Sequence, residues 1–273
     1  MAFFNSQALK LAPFSPSKLS TLGRCELQTH YRYIVKLREA EIPEDLRVEV
    51  DDSAAVIGTA LHRVSELMAE GKDLDTSVAE SIEEGTLNED IAEDVRMYRF
   101  TVANFQDRLD KFKSTFKISK ELREIELGVS IDMQPCSYWD KKAALRGKSD
   151  CILISEDGKT AVIIDLKSSK KATLEYAKDQ LEFYSLMVFV NFPEVENVRN
   201  GLFFLKHSKM MWSKEILRRK DYDLTESNYL VNKINSLSES FISRIEPEIN
   251  TSPLCNFCIY KGVCKEEKKK RSK

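Results

Sequence analysis

From residue 54 onward, apolar positions recur at helical spacing. Ile57, Leu61, Val64 and Met68 fall on one face of AAVIGTALHRVSELMAE. Residues 88–117 carry the same period, so helix is predicted through 54–117. Upstream, residues 15–37 (SPSKLSTLGRCELQTHYRYIVKL) read as a capped helical start, and the acidic stretch with Pro43 after them reads as a loop. The period changes at 121. ELREIELGVSI alternates apolar and polar residues as a half-buried strand does, and CILIS and TAVIID continue in that fashion. Residues 173–190 return to helical spacing, VRNGLFFLKH and MWSKEILRR read as strands, and 225–244 closes with a helix.

Helices followed by a mostly antiparallel sheet with one crossing helix predict an α/β fold with a central mixed sheet flanked by helices. The pattern divides the chain into an N-terminal segment (1–53), a helical region (54–120), a sheet-bearing core (121–245) and a cysteine-containing, basic C-terminal stretch (246–273).

Composition narrows the class. The 273 residues suit one large domain, or one with an appendage, and 42% hydrophobic with 32% charged residues marks a globular chain. No apolar run approaches the length of a membrane span, and the first twenty residues lack a basic start followed by an apolar block. A cytoplasmic protein with no membrane partner is expected. The net charge of −2 excludes a global electrostatic trap for nucleic acid, so phosphate contacts would come from local basic patches at 141–148, 167–171 and 268–273.

The chemistry centres on residues 147–172, GKSDCILISEDGKTAVIIDLKSSKKA. Asp157-Gly158 is a two-residue hairpin signal of type I′. With that pair at the centre, facing residues sum to 315, which sets Asp150 opposite Asp165, and alternation puts Lys167 on the same face. Facing carboxylates repel unless compensated. A divalent cation such as Mg²⁺ or Mn²⁺ would do so, because its site is built from oxygen atoms. The neighbouring lysine could orient an attacking water and offset charge on phosphate. Ordinary surface charges on an exposed hairpin remain the alternative. Gln180 and Tyr184, four apart on one helix face, could steady the lysine or the substrate.

In order along the chain, Gly58-x-x-x-His62, Gly147-x-x-Asp150, Asp165-x-Lys167 and Gln180-x-x-x-Tyr184 resemble the PD-(D/E)XK nuclease superfamily. The resemblance is to its RecB-like branch, with the CRISPR-associated RecB-like exonucleases and AddB-type helicase–nuclease domains. It implies a restriction-endonuclease-like core, with metal bound by His62, Asp150, Asp165 and the backbone carbonyl of Leu166. Lys167 would be the catalytic lysine. An acidic residue on the preceding strand often joins such sites, and Glu124 and Glu126 both qualify. Lys148-Ser149 replaces the commoner apolar or proline lead-in to the first aspartate.

Six cysteines with no export signal argue against a disulfide framework. Cys255, Cys258 and Cys264 form C-x2-C-x5-C, while Cys25, Cys136 and Cys151 are scattered. A closed site needs a fourth thiolate, and the resemblance points to Cys25. Structural zinc sites are normally built from two close pairs, so one isolated cysteine with a cluster of three better matches a 4Fe–4S centre clasping the two ends of the chain. Zinc or plain buried thiols remain open.

The function expected is a metal-dependent DNA nuclease, an exonuclease acting on single strands or ends, with a helicase, recombination or CRISPR-adaptation partner. A non-catalytic DNA-binding scaffold and a site-specific endonuclease are the rivals.

Overall fold

The structure, a computed structural model, describes residues 2–169 and 172–271. The two lysines at 170–171 of the KSSKK patch, and residues 272–273 of the basic tail, lie outside the described residues. The chain divides into two compact units. One is Ser53–Leu224; the other joins Met1–Asp52 to Thr225–Lys273.

In the central unit, the predicted helical region is three helices: α4 (Ser53–Ala69), α5 (Leu74–Glu84) and α6 (Glu89–Phe116). The breaks have local causes. Gly71 adopts φ +95°, Asp73 caps α5 by accepting from the Thr76 N–H, and Asn88 caps α6 through the Ile91 N–H.

The sheet holds β1 (Ile118–Ser130), β2 (Pro135–Cys136), β3 (Ala143–Ser155), β4 (Thr160–Lys167), β5 (Asn197–Phe204) and β6 (Lys209–Arg218), in the order β2-β1-β3-β4-β5-β6. All neighbours run antiparallel except β4 and β5, and α7 (Lys178–Asn191) makes the crossover that their parallel pairing demands. The α/β class with a mixed sheet flanked by helices is therefore as the pattern predicts.

Alternation sorts the two faces of the sheet. Leu61, Val64, Val102, Phe105 and Leu109 of α4 and α6 pack on Cys151, Leu153, Val162, Ile164 and Phe203. On the other face, Leu181 of α7 packs with Leu202 and Phe204. Cys151 points into the core, as its place beside Asp150 implies.

The hairpin keeps the predicted register but not the predicted turn. Cys151 faces Ile164 and Ile154 faces Ala161, each pair summing to 315. Of Asp157 and Gly158, only Gly158 has positive φ (+72°), so the turn is not type I′. Instead the Gly158 N–H donates to the Ser155 carbonyl, and the Ser155 hydroxyl accepts from the Thr160 N–H. The loop is longer by one residue on each side, so the register survives.

The terminal unit contains α1 (Ser6–Leu11), α2 (Pro16–Arg24), α3 (Glu26–Thr29), α8 (Tyr229–Ser243) and α9 (Lys261–Arg271). The predicted helical start at 15–37 is interrupted at Cys25, whose extended backbone ends α2 and begins α3. A π-helical segment over His30–Val35 follows and stops at Lys36 in the left-handed region. Its two chain segments are stitched together. The Leu27 N–H donates to the Glu248 carbonyl, and the Glu248 N–H donates to the Glu26 carboxylate.

Candidate active site

The site lies where β3 and β4 part. Their ladder ends at Cys151–Ile164, while β4 runs on beside β5 through Lys167. The Leu166 N–H donates instead to Asp150 Oδ2 at 2.6 Å, so a carboxylate takes the place of the missing ladder bond. Asp165 is buried among this hairpin, β5 and α7.

His62 from α4 reaches the same spot. Its Nδ1 lies 3.5 Å from Asp150 and 3.8 Å from Glu124. Ligand atoms of His62, Glu124 and Asp150 all fall within 4.8 Å of one another, the spacing of donors on one metal ion. Of the two glutamates, Glu124 lies in this group, while Glu126 is exposed and stands outside it. Glu124 holds φ +46° in mid-strand, a left-handed conformation that costs about 1–2 kcal/mol for such a residue. No sequence pattern marks it. Lys148, the departure from the usual lead-in, pairs with Glu124 at 3.0 Å and removes no carboxylate from the group.

The second half of the site is a relay of contacts. Lys167 Nζ lies 2.7 Å from Asp165 Oδ2 and donates to Gln180 Oε1 at 2.6 Å. Gln180 Nε2 donates to Asp165 Oδ1 at 2.7 Å. One amide therefore fixes the lysine and the aspartate together. Asp165 Oδ2 is buried against the Lys167 ammonium, and the carboxylate stands beside the His–Glu–Asp group, a set of oxygen and imidazole donors that suits a divalent cation. The Tyr184 hydroxyl donates to the Lys148 carbonyl at 2.6 Å, and its ring occupies the space a side chain at Gly147 would fill. Gln180 and Tyr184 thus each contact one strand of the hairpin, Gln180 at β4 and Tyr184 at β3.

Gly58 explains how α4 comes so close. A Cβ there would lie 2.5 Å from the Ser168 hydroxyl, so the chain leaving β4 crosses α4 at the glycine, one turn before His62.

The electrostatics follow from this crowding. Burial raises the Asp165 carboxyl above the carboxylate range, to about 6, and the Asp150 charge adds to it against the pull of Lys167 and His62. Burial alone would lower His62, but hydrogen bonds to Asp150 and Glu124 outweigh it and hold the pKa at about 10. For Glu124, burial raises the carboxyl, while the His62 and Lys148 bonds more than reverse that and leave it lowered.

In the terminal unit, Cys25, Cys255, Cys258 and Cys264 all line one cavity of about 200 Å³. Burial raises the Cys258 thiol, and the other three cysteines raise it further through their charges. Tyr260 anchors the loop, donating to the Leu37 carbonyl at 2.9 Å with its ring against Tyr31. Cys136 lies in β2 and Cys151 in the core; neither lines this cavity.

A mixed sheet with a crossover helix, carrying carboxylates and a lysine at a divided hairpin, defines a nuclease-type α/β protein. The chain belongs to the PD-(D/E)XK nuclease superfamily, whose family model matches residues 13–265. Membership implies hydrolytic nuclease activity. No match was found among curated proteins. Among the solved structures similar to this chain are the following two. SSO0001 is 15% identical, with 92% of this chain and 85% of that chain covered and a TM-score of 0.40. A protein titled as a candidate exonuclease from Eubacterium rectale is 10% identical, with 89% and 86% covered and a TM-score of 0.46. Both likenesses are distant, and membership rests on the family match. Among the described residues, no helix is long and apolar enough to cross a membrane.

Proposed function

We propose that the chain is a metal-dependent deoxyribonuclease of the RecB-like branch, working as an exonuclease on single strands or strand ends. The observation that supports this most directly is the convergence of His62, Glu124 and Asp150 beside the Asp165–Lys167–Gln180 relay. His62, Glu124, Asp150, Asp165 and the Leu166 carbonyl would hold Mg²⁺ or Mn²⁺. When bound, such an ion stabilises charge on a phosphate and acidifies a coordinated water.

The remaining roles belong to the side chains. Lys167, held by Gln180, carries a positive charge beside the carboxylates, where it orients the attacking water and offsets charge developing on phosphate. Gln180 keeps the ammonium and Asp165 in one geometry. Tyr184 holds the Lys148 carbonyl, and with it the strand that carries Asp150.

The four cysteines around one cavity are a thiolate set suited to a 4Fe–4S cluster. Bound there, it would close a loop of 230 residues (255 − 25) and clasp the two ends of the chain. The RecB-like resemblance points to helicase or recombination machinery, CRISPR adaptation included, as partners.

The test is digestion of end-labelled single and double strands with and without Mn²⁺. The expected result is metal-dependent shortening from an end, abolished in Asp165→Asn and Lys167→Ala. Equal digestion by Lys167→Ala would remove the lysine from the mechanism; internal cuts without end-shortening would make the protein an endonuclease.

A further inference from the structure

Trp139 is the most exposed large aromatic side chain among the described residues of the central unit, at 71%. A single exposed aromatic needs no explanation, but Trp139 is paired with Tyr138 and with the Arg146 guanidinium. It is not on a loose loop. The Trp139 N–H donates to the Ser137 hydroxyl, the Asp140 N–H to the Ser137 carbonyl, and the Lys142 N–H to Asp140 Oδ1. The turn is therefore pinned by its own backbone.

Gly128 explains its seat. A Cβ there would lie 2.7 Å from the Cys136 and Ser137 carbonyl oxygens, so the segment lies down on β1 where a side chain is missing. Gly128 pairs with Arg146 of β3. The Arg146 guanidinium sits 5.6 Å from the Tyr138 ring and 5.8 Å from the Trp139 ring, and one of its nitrogens donates to the Asp140 carbonyl. Its Nε is buried with no hydrogen-bond partner in the described residues. The two rings meet edge to face at 4.9 Å.

This group shares a face with Lys148 and, through it, with Glu124 and His62. Gly147 faces Tyr184 and Met187 of α7, so its neighbours Arg146 and Lys148 project to the opposite side. Lys148 meets Glu124 there, and Glu124 meets His62. Four residues of strand from Arg146 to Asp150 span about 13 Å. Lys141 and Lys142 add positive charge at the turn, and Glu126 opposite Lys148 is the acidic counterweight on that face.

Rigid exposed aromatics beside cationic side chains are the means by which proteins hold unpaired nucleotides: bases stack on the rings and phosphates meet the cations. We propose that Tyr138, Trp139 and Arg146 form a stacking platform that grips the unpaired part of the DNA strand whose phosphodiester lies at the carboxylates. A flush duplex exposes base faces only at its terminal pairs, whereas an unpaired strand offers the faces of successive bases to Trp139 and Tyr138, so the platform favours single-stranded ends. The inference rests on the nuclease reading for its purpose but not for its test.

Only Trp139 and Trp212 are tryptophans, so Trp212→Phe leaves Trp139 as the sole indole reporter. A twelve-nucleotide oligothymidylate, added without divalent metal, should quench its fluorescence. In parallel, anisotropy of the labelled oligothymidylate should show Trp139→Ala binding roughly five- to hundredfold more weakly than wild type, the range of one lost base stack. Trp139→Phe should restore most of the affinity. In digestion assays Trp139→Ala should raise KM for single strands far more than it lowers kcat. Unchanged affinity in Trp139→Ala, or a stronger response to blunt duplex than to the single strand, overturns the platform. If wild type binds through Trp139 yet cuts nothing with Mn²⁺, the platform stands and the nuclease reading fails.

Discussion

The Asp150 carboxylate accepts the Leu166 backbone N–H at 2.6 Å, at the step where the ladder between their strands has ended. One side chain thus has a structural duty and faces His62 as well. The two duties separate by substitution. Asp150→Asn keeps an oxygen for the Leu166 N–H, whereas Asp150→Ala strands a part-buried donor, at about 1–3 kcal/mol. Both should lose activity and most of the rise in melting temperature that Mn²⁺ gives the wild type. Only Asp150→Ala should also melt markedly lower in the metal-free state. A full Mn²⁺ response in Asp150→Asn would remove Asp150 from the ligand set.

Gln180 is bonded to Lys167 and to Asp165 by the two ends of one amide. Gln180→Ala should lower kcat by about 10- to 100-fold, the usual loss when a supporting partner of a site is removed. KM for DNA should change little, because the amide binds the catalytic pair and not the strand. Steady-state kinetics separate the two parameters. A rise in KM at constant kcat would make Gln180 a substrate contact instead.

How much of this was legible depended on range. Val64 and Leu61 advertise their helix because its period is local, and Asp73 and Asn88 mark starts that a search for apolar stripes passes over. The register from Cys151–Ile164 to Ile154–Ala161 was readable because a symmetric change in loop length leaves the sum of facing positions intact; the turn type, which depends on φ at Asp157, was not, nor was the parting of the strands one step before Asp150 would face Asp165. Glu124 could not be told from Glu126, since the choice turns on a left-handed residue inside a strand. Cys25 has no local signature either. Its proximity to Cys255 spans most of the chain, and only the likeness to a known family suggested it.

Gly58 and Ser168 form a contact that substitution can break and repair. Gly58→Ala sets a methyl 2.5 Å from the Ser168 hydroxyl and 3.2 Å from its Cβ. Overpacking of this kind costs about 1–3 kcal/mol, against a helix-propensity gain of about 1 kcal/mol for alanine. The variant should melt lower and cut more slowly. Ser168→Gly in the same chain should recover much of both. Independent, additive effects of the two changes in a double-mutant cycle would mean that the strand exit does not rest on this helix.

Lys18 carries the pH prediction. Its ammonium is buried and donates to the Leu11 and Pro13 carbonyls. Burial, with the nearby Lys36 charge, lowers its pKa from 10.5 to about 8. Between those values the unfolded chain holds a proton that the folded chain has released, so this group makes stability rise with pH across that window. Lys18→Met lacks the group. The wild type should therefore gain in melting temperature relative to Lys18→Met between pH 8 and pH 10, and parallel curves would show that the folded and unfolded lysines titrate alike.

The cysteine cavity makes its prediction through iron. Anaerobically purified protein should be brown and carry about four irons per chain, as four-thiolate ligation of one cluster requires. Cys25→Ser should lose the colour, although Cys25 lies far in sequence from the other three. It should also lose thermal stability, since closing a loop of 230 residues (255 − 25) is worth about 5 kcal/mol in loop-closure entropy. Cys136→Ser and Cys151→Ser separate cluster chemistry from thiol chemistry at large. Neither residue lines the cavity, so each variant should keep its full iron content even if Cys151→Ser, with a hydroxyl placed in the core, melts lower. Iron lost from either would mean that the fourth ligand is not Cys25. One equivalent of zinc in colourless protein would replace the cluster with a structural zinc site, leaving the clasp in place and changing only the metal that closes it.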